Sequence, residues 1–372
     1  MRLLVTGGGT GGHVYPALSV IEAVLGDACY ATARADVAWV GRTGGVEERI
    51  VAREGLAFYG VDAGALHGAN LLAVPGSLWR LWRGYGQARR LLAEFRPEVV
   101  LSTGGYVSAP VTLAAARAGC PVLIYLPDVA PGLAIKWLSR LARRVAVSFP
   151  AAATFFRPGQ AFVSGYPVRR ALYTTPRAQA RAALGLSDEL PALLVLGGSL
   201  GAHSLNEAVR AHLGDVLGLA QVVHVCGQRD EAALQAARAA LPEGLRARYH
   251  LYAYLYEGMT DALVAADLAV TRGGASVLGE YPAAGLPAVV VPYPHTGPNQ
   301  QVNADYLAQH GAAVAMADAA LAAELWPTVR GLLTSPERLG EMRAAMARLA
   351  HPEAAETIAA ELLALSRGMT HD

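Results

Sequence analysis

Four glycine-rich segments are the clearest candidates for chemistry in this sequence. Each one follows a short apolar run and precedes a segment with helical periodicity. Glycines at such positions let the backbone turn tightly, so that N–H groups and the positive end of the next helix face an anion. The four segments are residues 7–12, 103–106, 197–201 and 272–275. One such segment could be only a tight turn, but four of them favour binding of phosphate or diphosphate.

Two of the segments also fit motifs of other enzyme classes. The first matches G-x-G-x-x-G, but the end of the next predicted strand carries Arg42 where dinucleotide-binding enzymes need an acidic residue. An enzyme that prefers NADP remains an alternative, because arginine suits the 2′-phosphate. The third matches G-x-S-x-G, the nucleophile elbow of α/β-hydrolases, with Ser199 as nucleophile. Neither His295 nor Asp267 has a spacing that recommends it as a partner, so hydrolysis is the weaker interpretation.

The elements that must position these segments form two series of buried strands and helices. Near-continuous apolar strands separated by helices are typical of parallel sheets covered on both faces. Two series predict an α/β protein with two doubly wound, Rossmann-like domains. In such sheets ligands bind beyond the carboxyl ends of the strands, so we expect the site in a cleft between the domains. The predicted strands are residues 3–5, 37–40, 99–101, 122–125 and 145–147, then 193–196, 222–225, 268–270, 289–291 and 312–315.

The length of 372 residues fits two domains. The break between the two series lies near Gly165-Tyr166-Pro167. We therefore predict a first domain at residues 1–165 and a second at residues 166–340. The helical C-terminal segment could pack across both, and we assign residues 341–372 to the first domain.

Composition excludes several classes of protein. A hydrophobic share of 53% and a charged share of 16% exclude a disordered or fibrous chain. The net charge of +1 predicts no nucleic-acid partner. This total conceals an asymmetry between the two halves. Residues 1–165 contain 16 basic and 10 acidic residues, a net charge of +6. Residues 166–372 contain 15 basic and 20 acidic residues, a net charge of −5. Three widely spaced cysteines are typical of reduced thiols in the cytosol.

One segment of the first half favours contact with a membrane surface. No signal peptide is predicted at the N-terminus, and no uncharged apolar stretch is long enough to span a bilayer. Residues 66–96 instead interleave apolar side chains and tryptophans with arginines, a pattern typical of an interfacial helix. A buried amphipathic helix with a solvated arginine face is the alternative. The predicted contact residues are Leu71, Leu72, Trp79, Arg80, Trp82 and Arg83.

Taken with their flanking residues, the glycine segments resemble those of the MurG family. The similar stretches are GGGTGGHVYPA at 7–17, GGYVSAP at 104–110, GGSLGA at 197–202, and the runs RGGA, AAGLP, PYPH and QQVNA within 272–304. They occur in the family's order over nearly the whole chain. The resemblance implies a GT-B fold and transfer of GlcNAc from UDP-GlcNAc to lipid I, undecaprenyl-pyrophosphoryl-MurNAc-pentapeptide, to give lipid II. It also implies a peripheral protein of the inner leaflet, with roles in cell-wall biogenesis, cell shape and cell division.

The resemblance further implies which residues bind each substrate. The donor, UDP-GlcNAc, would be bound by Arg169, Ser199, Asn206, Leu255, Arg272, Glu280, Gln300 and Gln301. The acceptor and its diphosphate would be bound by Thr10, Gly11, Gly12, Gly104, Gly105 and Tyr106. The family inverts at the anomeric carbon by direct attack, a step that needs one general base. No cofactor is expected, and no metal either, because the sequence has no D-x-D motif.

The base is predicted to be His13, which follows the first glycine segment, with Asp128 as the acceptor-orienting group or alternative base. The sequence departs from the family here. Leu126 stands where the family usually has glutamate, and Tyr166 where it usually has asparagine. Another GT-B enzyme that uses a UDP-sugar, such as a glycolipid glycosyltransferase or a sugar-nucleotide epimerase, is the alternative within the fold. An NADP-binding oxidoreductase and a non-catalytic nucleotide-binding protein are the alternatives outside it.

Overall fold

The computed structural model describes residues 1–63, 74–198, 201–255, 258–295 and 298–369. The chain divides into two compact units, which we call unit 1 and unit 2. Unit 1 comprises Met1–Arg169 together with His351–Asp372, and unit 2 comprises Arg170–Ala350. Each unit is built on its own parallel sheet, as the two predicted series of strands require.

Unit 1 contains a seven-stranded sheet among its described residues, in the order β3-β2-β1-β4-β5-β6-β7. Neighbouring strands pair in parallel. The central strands are apolar on both faces, since Leu3 and Val5 enter one core while Leu4 enters the other. The strands are β1 Leu3–Gly7, β2 Val37–Gly41, β3 Ala57–Gly60, β4 Val99–Gly104, β5 Val122–Leu126, β6 Arg144–Val147 and β7 Ala161–Val163.

Helices cover both faces of this sheet. Those preceding the unit boundary are α1 Gly11–Gly26, α2 Val46–Arg53, α3 Val74–Phe95, α4 Ser108–Arg117, α5 Leu133–Leu138 and α6 Pro150–Ala153. Helices α3 to α6 share one apolar core, and α1 and α2 lie on the opposite face. Within the described residues, no helix has the length and apolar content needed to cross a bilayer.

Unit 2 repeats this architecture with six strands among its described residues, in the order β10-β9-β8-β11-β12-β13. The strands are β8 Ala192–Leu196, β9 Gln221–Val225, β10 Tyr249–Tyr252, β11 Leu268–Thr271, β12 Ala288–Val290 and β13 Ala313–Ala315. The helices are α7 Ala171–Thr174, α8 Arg177–Ala183, α9 His203–Ala211, α10 Leu213–Leu219, α11 Glu231–Ala239, α12 Glu243–Arg246, α13 Met259–Ala265, α14 Glu280–Ala284, α15 Asn299–Gln309, α16 Leu321–Leu333 and α17 Pro336–Ala347.

The boundaries of the units differ from the predicted domains at both ends. Residues 166–169 belong to unit 1, and residues 341–350 belong to unit 2. The second difference arises because α17 buries Leu339 and Met342 in the core of unit 2. The last helix, α18 Ala354–Ser366, belongs to unit 1. Its apolar side chains recur at helical spacing, and Ile358 and Leu362 enter the core beside α1.

All ten predicted strands are confirmed, and three more strands were missed. The missed strands are β3, β7 and β10, each of which lies at an edge of its sheet. An edge strand is covered less completely than a central one, so its sequence need not be continuously apolar. Three of the four residues of β3 are exposed, which explains why its sequence lacks the expected pattern.

Candidate active site

The first two glycine loops of unit 1 pack directly against each other. A Cβ on Gly7 would collide with the Thr103 hydroxyl, and one on Gly105 would lie 2.5 Å from the Gly8 carbonyl oxygen. Gly105 also has a φ of +84°, which favours glycine. The structure therefore brings together the predicted acceptor residues Thr10, Gly11 and Gly12, at the start of α1, with Gly104 and Gly105. Tyr106 follows them and is exposed.

His13 lies in the first turn of α1, beside the second glycine loop. Its Nδ1 is 3.0 Å from the Gly8 carbonyl oxygen. Because a carbonyl can only accept, Nδ1 carries the hydrogen, and the neutral ring then has a lone pair on Nε2. A Cβ on Gly104 would lie 3.5 Å from this Nε2, so Nε2 lies beside the second loop. A ring that keeps its hydrogen on Nδ1 can accept a proton on Nε2, and the role of His13 as general base remains a prediction.

The segment after β5 shows how the departures from the family pattern are accommodated. Leu126 is fully buried at the end of β5. Tyr166 is also buried and packs edge-to-face on Tyr125, with ring centroids 6.1 Å apart. Burial raises the pKa of Tyr125 well above its usual value; the hydrogen bond between Tyr125 and Ser148 partly opposes this shift, and the nearby charge of Asp128 adds to it. Both altered positions thus belong to the core, and Asp128 is the half-buried carboxylate two residues after Leu126.

Arg169 lies in unit 1, although it was predicted with the donor residues of the second domain. Its guanidinium carbon is 5.1 Å from the centre of the Tyr15 ring, in the first part of α1. A Cβ on Gly11 would lie 3.2 Å from the same ring. The local packing thus places Arg169 near the first glycine loop. Its contact with the donor remains a prediction.

The predicted membrane residues of α3 are exposed where the structure describes them. The Trp82 side chain is 73% exposed, and Trp79, Arg80 and Arg83 are exposed as well. The Arg83 guanidinium stacks over the Trp79 ring at 4.7 Å. Leu71 and Leu72 lie outside the described residues. The exposed tryptophans exclude the alternative in which this face of α3 is buried within unit 1.

Sequence analysis missed a second exposed apolar stripe, on α5 and the turn that follows it. Leu133, Trp137 and Leu141 recur every four residues and are all exposed, Trp137 to 65%. Arg140 stacks over the Trp137 ring at 4.5 Å, and Lys136 is exposed beside it. Helical spacing of these side chains could have indicated the stripe, but the same spacing is typical of a helix buried on one side.

On the donor side, the third glycine loop follows β8 and rests on the end of β9. A Cβ on Gly201, whose φ is +77°, would collide with the Cys226 carbonyl oxygen. Gly197 is equally constrained by the backbone of Ala202. Ser199, the predicted diphosphate ligand, lies outside the described residues. Close backbone packing thus constrains Gly197 and Gly201, which are described residues of this loop.

A buried polar network supports this loop. Asn206 is fully buried, and its Nδ2 donates to Asp230 at 2.7 Å and to the Cys226 carbonyl at 2.8 Å. Its Oδ1 therefore accepts from Nε2 of His224, whose Nδ1 accepts from the Tyr249 hydroxyl, each at 2.9 Å. Burial lowers the pKa of His224 to about 3 and keeps the ring neutral. These bonds make Asn206 a support for the loop, and direct contact with the donor remains a prediction.

Arg272 is held in a second network of the same kind. It is only 7% exposed. Its guanidinium donates to Asp318 at 2.5 Å, to the Ser204 hydroxyl at 2.7 Å and to the Val291 carbonyl at 3.2 Å. Ser204 also donates to Asp318 at 2.8 Å. Arg272 therefore ties the start of α9 to the ends of β11 and β12, and its predicted contact with the donor remains untested.

The fourth glycine loop carries the start of α15. A Cβ on Gly273 would collide with the Gln300 carbonyl, and buried Asn303 donates to the Gly273 carbonyl at 3.1 Å. The Gln300 side chain accepts the N–H of Tyr293 at 2.8 Å, while Gln301 donates to Asp305 on the surface of α15. Gln300 is thus brought to the carboxyl end of β11.

The remaining predicted donor residues follow β11 and β10 of the same sheet. Glu280 begins α14 and is half-buried. Leu255 follows β10 and is also half-buried. Because the strands are parallel, the loops after β8, β9, β10 and β11 meet at one edge of the sheet.

Comparison with known proteins identifies the family of this chain. Residues 3–147 match the glycosyltransferase family 28 N-terminal domain, and residues 192–358 match the family's C-terminal domain. The UDP-N-acetylglucosamine–N-acetylmuramyl-(pentapeptide) pyrophosphoryl-undecaprenol N-acetylglucosamine transferase of Roseiflexus sp. (strain RS-1) is 45% identical over 96% of this chain and 94% of its own. The enzyme of that name from Moorella thermoacetica is 40% identical over 96% of this chain and 97% of its own.

Solved structures give the same result. The crystal structure of Acinetobacter baumannii MurG matches with a TM-score of 0.73 and 29% identity, over 97% of this chain and 98% of that one. UDP-GlcNAc 2-epimerase from Neisseria meningitidis matches with a TM-score of 0.66 but only 14% identity, over 98% of this chain and 100% of that one, and so shares the fold alone. The two Rossmann-like units are those of a GT-B glycosyltransferase, and the chain belongs to the MurG family of N-acetylglucosaminyltransferases.

Proposed function

We propose that this protein transfers GlcNAc from UDP-GlcNAc to undecaprenyl-pyrophosphoryl-MurNAc-pentapeptide, lipid I, and so produces lipid II for peptidoglycan. The observation that carries this proposal is the 45% identity, over nearly the full length of both chains, with a transferase of that name. Likeness to the epimerases supports only the fold, because those neighbours share 14–16% of their residues with this chain. Cell-wall biogenesis, cell shape and cell division would follow from the same activity.

His13 is the proposed general base of an inverting displacement. The acceptor hydroxyl oxygen attacks the anomeric carbon of GlcNAc while the bond to the β-phosphate oxygen of UDP breaks. The hydroxyl proton passes to Nε2 of His13, whose Nδ1–H is already engaged by the Gly8 carbonyl. Asp128 is the proposed acceptor-orienting group, since it is the half-buried carboxylate in the segment after β5.

The charge that develops on the leaving UDP is proposed to be met by dipoles and arginine. Backbone N–H groups of the third glycine loop and the start of α9 would face the diphosphate, with Ser199 and Arg169 contributing. Glu280 would bind the ribose hydroxyls, Leu255 the uracil, and Gln300 with Gln301 the GlcNAc hydroxyls. Neither a metal nor a cofactor is part of this proposal, and full activity in EDTA is the expected result.

Unit 1 is proposed to contact the inner leaflet of the cytoplasmic membrane. Helices α3, α4 and α5 share one core on one face of the sheet. Helix α5 follows β5 and therefore begins at the carboxyl edge of that sheet. Helix α3 connects the end of β3 to the start of β4, so it also begins at this edge. Trp82 in the first half of α3, Tyr106 just before α4 and Trp137 in α5 are all exposed. Such residues suit the headgroup region of a bilayer.

The charge around α5 supports an anionic lipid surface as the partner. No acidic residue occurs between Asp128 and Asp188, whereas residues 129–165 contain five basic ones. Lys136, Arg140 and Arg143 are exposed beside the apolar stripe. Basic residues close to a bilayer each contribute about 1 kcal/mol on anionic membranes.

The proposal is tested by measuring transfer of labelled GlcNAc to lipid I with the wild type, His13→Ala and Asp128→Asn. Transfer by the wild type and its loss in His13→Ala are expected. A wild type without transfer would refute the function, and near-normal transfer by both variants would refute the assigned roles. Thermal stabilisation by UDP-GlcNAc but not by NADPH is expected, and the reverse result would favour an oxidoreductase.

A further inference from the structure

A buried carboxylate lies beneath the first glycine loop. Glu47, in the first turn of α2, is 1% exposed. Its Oε2 accepts the backbone N–H of Gly9 at 3.1 Å, and its Oε1 accepts that of Arg42 at 2.9 Å. Arg42 stands where dinucleotide-binding enzymes have an acidic residue, and Glu47 lies five positions after it. It binds the protein's own backbone rather than a ribose.

Three glycines make the space that this side chain occupies. A Cβ on Gly8, Gly41 or Gly45 would lie 2.7 Å or less from Glu47 atoms. These glycines come from the first loop, the end of β2 and the turn before α2. Since three separate segments exclude side chains from one carboxylate, its position is tightly determined by packing.

The two hydrogen bonds around the Gly8–Gly9 peptide connect Glu47 to His13. The N–H of this peptide, on Gly9, donates to Glu47. The carbonyl of the same peptide, on Gly8, accepts from Nδ1 of His13 at 3.0 Å. A peptide that donates to a carboxylate is polarised, so its carbonyl becomes a better acceptor. One planar peptide thus joins the carboxylate to the imidazole.

We propose that Glu47 is a positioning residue for His13 that acts through the Gly8–Gly9 peptide. It orients the peptide so that the Gly8 carbonyl holds the hydrogen on Nδ1 and leaves Nε2 as the acceptor. Its role corresponds to that of the carboxylate in a carboxylate–histidine pair, with one peptide between the two groups. The proposal rests on the proposed function for its kinetic consequence, but the tautomer of His13 can be observed without any substrate.

The test compares Glu47→Gln with Glu48→Gln. Glutamine keeps the size of Glu47 but removes its charge and one of its two acceptors, so the N–H of Gly9 or Arg42 would face an amide NH₂. Glu48 is the matched control, because it is the next residue of α2 and accepts the N–H of Gly44 at 2.5 Å on the exposed side. Nitrogen NMR of the His13 ring reports the tautomer, and the transfer assay reports kcat and KM.

For Glu47→Gln we expect a mixture of His13 tautomers and a fall in kcat of about tenfold to a hundredfold. The KM for UDP-GlcNAc should be unchanged, and Glu48→Gln should behave as the wild type. A folded Glu47→Gln protein with the wild-type tautomer and kcat would overturn the proposal, even if its melting temperature were lower. If Glu47→Gln does not fold, the same measurements are made on Glu47→Asp, which keeps the carboxylate but shortens the side chain. The same mixture of tautomers and the same fall in kcat are then expected. If the wild type transfers no GlcNAc, the proposed function fails and the NMR result alone decides on Glu47.

Discussion

Units 1 and 2 share an architecture but differ in what they bury and what they expose. Among the described residues, ten of the eleven exposed large apolar side chains belong to unit 1, and only Tyr293 belongs to unit 2. Within the described part of the chain, unit 2 buries three charged side chains, Arg181, Asp230 and Arg272, in polar networks, whereas unit 1 buries one, Glu47. The difference fits the proposed roles, in which unit 1 contacts a membrane surface and carries the general base, and unit 2 binds the donor.

The charge of the two units sharpens this comparison. By the structural boundaries, unit 1 has 18 basic and 14 acidic residues, a net of +4, and unit 2 has 13 and 16, a net of −3. The contrast is smaller than the +6 and −5 of the two sequence halves, because the C-terminal residues 351–372 bring acidic side chains into unit 1. The acidic residues that lower the net charge of unit 1 thus come from its C-terminal segment.

The largest expected effect separates catalysis from donor binding. His13→Ala should lower kcat by about 10²- to 10⁴-fold, because the acceptor hydroxyl loses its general base. Stabilisation by UDP-GlcNAc should be retained, since the proposed donor edge belongs to unit 2. Transfer kinetics and thermal shifts on the same protein measure the two effects. Loss of the UDP-GlcNAc shift in this variant would contradict the division of roles.

The second effect tests whether unit 2 depends on buried charge. Asp267 pairs with Arg177, Arg181 and Arg343, at 2.6, 3.4 and 3.4 Å. Asp267→Asn should reduce the free energy of unfolding by about 3 kcal/mol, because Arg181 is buried and loses its compensating charge.

Asp188→Asn is the control for this variant in urea titrations. Asp188 pairs with the same Arg181 at 3.1 Å, but its side chain is 82% exposed. Its loss should cost less than about 1 kcal/mol. Equal effects of the two substitutions would show that burial does not determine the stability of this cluster.

The third effect is a dependence of unit 2 on pH. Burial lowers the pKa of His224 from 6.5 to about 3, so between these values the unfolded chain binds a proton that the folded chain does not. Stability should therefore fall as the pH falls from 7 to 5, by roughly 2 kcal/mol from this residue. His224→Gln should flatten the dependence in urea titrations more than the same substitution at the half-buried His212 does. A wild-type slope in His224→Gln would contradict the assignment.

The smallest effect concerns the surface of unit 1. Leu133→Ser with Trp137→Ser should weaken binding to vesicles of phosphatidylcholine and phosphatidylglycerol about tenfold, since about 1.4 kcal/mol of apolar burial is lost. Phe155→Ser is the control, because Phe155 is an exposed aromatic residue of unit 1 outside the stripe. Cosedimentation measures both variants. A greater loss with Phe155→Ser would reject the α5 stripe as the contact surface.

The sequence predicted the fold class and the glycine loops, because both follow from local patterns. Continuous apolar runs identified the central strands, whereas edge strands such as β3 lack that pattern. The glycines between strand and helix identified the loops, since only glycine tolerates the close approaches at Gly105 and Gly201. The resemblance then indicated His13, which the structure places with its Nε2 facing the second loop.

The sequence alone could not assign roles that depend on burial and on distant partners. The motifs indicated Asn206 and Arg272 as donor ligands. In the folded protein Asn206 donates to Asp230 and Arg272 donates to Asp318, which are distant in sequence. Glu47 carries no motif, and its contact with Gly9 spans 38 positions. The sequence by itself thus determined which segments form strands, turns and loops, because those depend on neighbouring residues. Only the tertiary structure decided which polar groups contact one another. A buried polar group needs a hydrogen-bond partner, and that partner often comes from a segment distant in sequence.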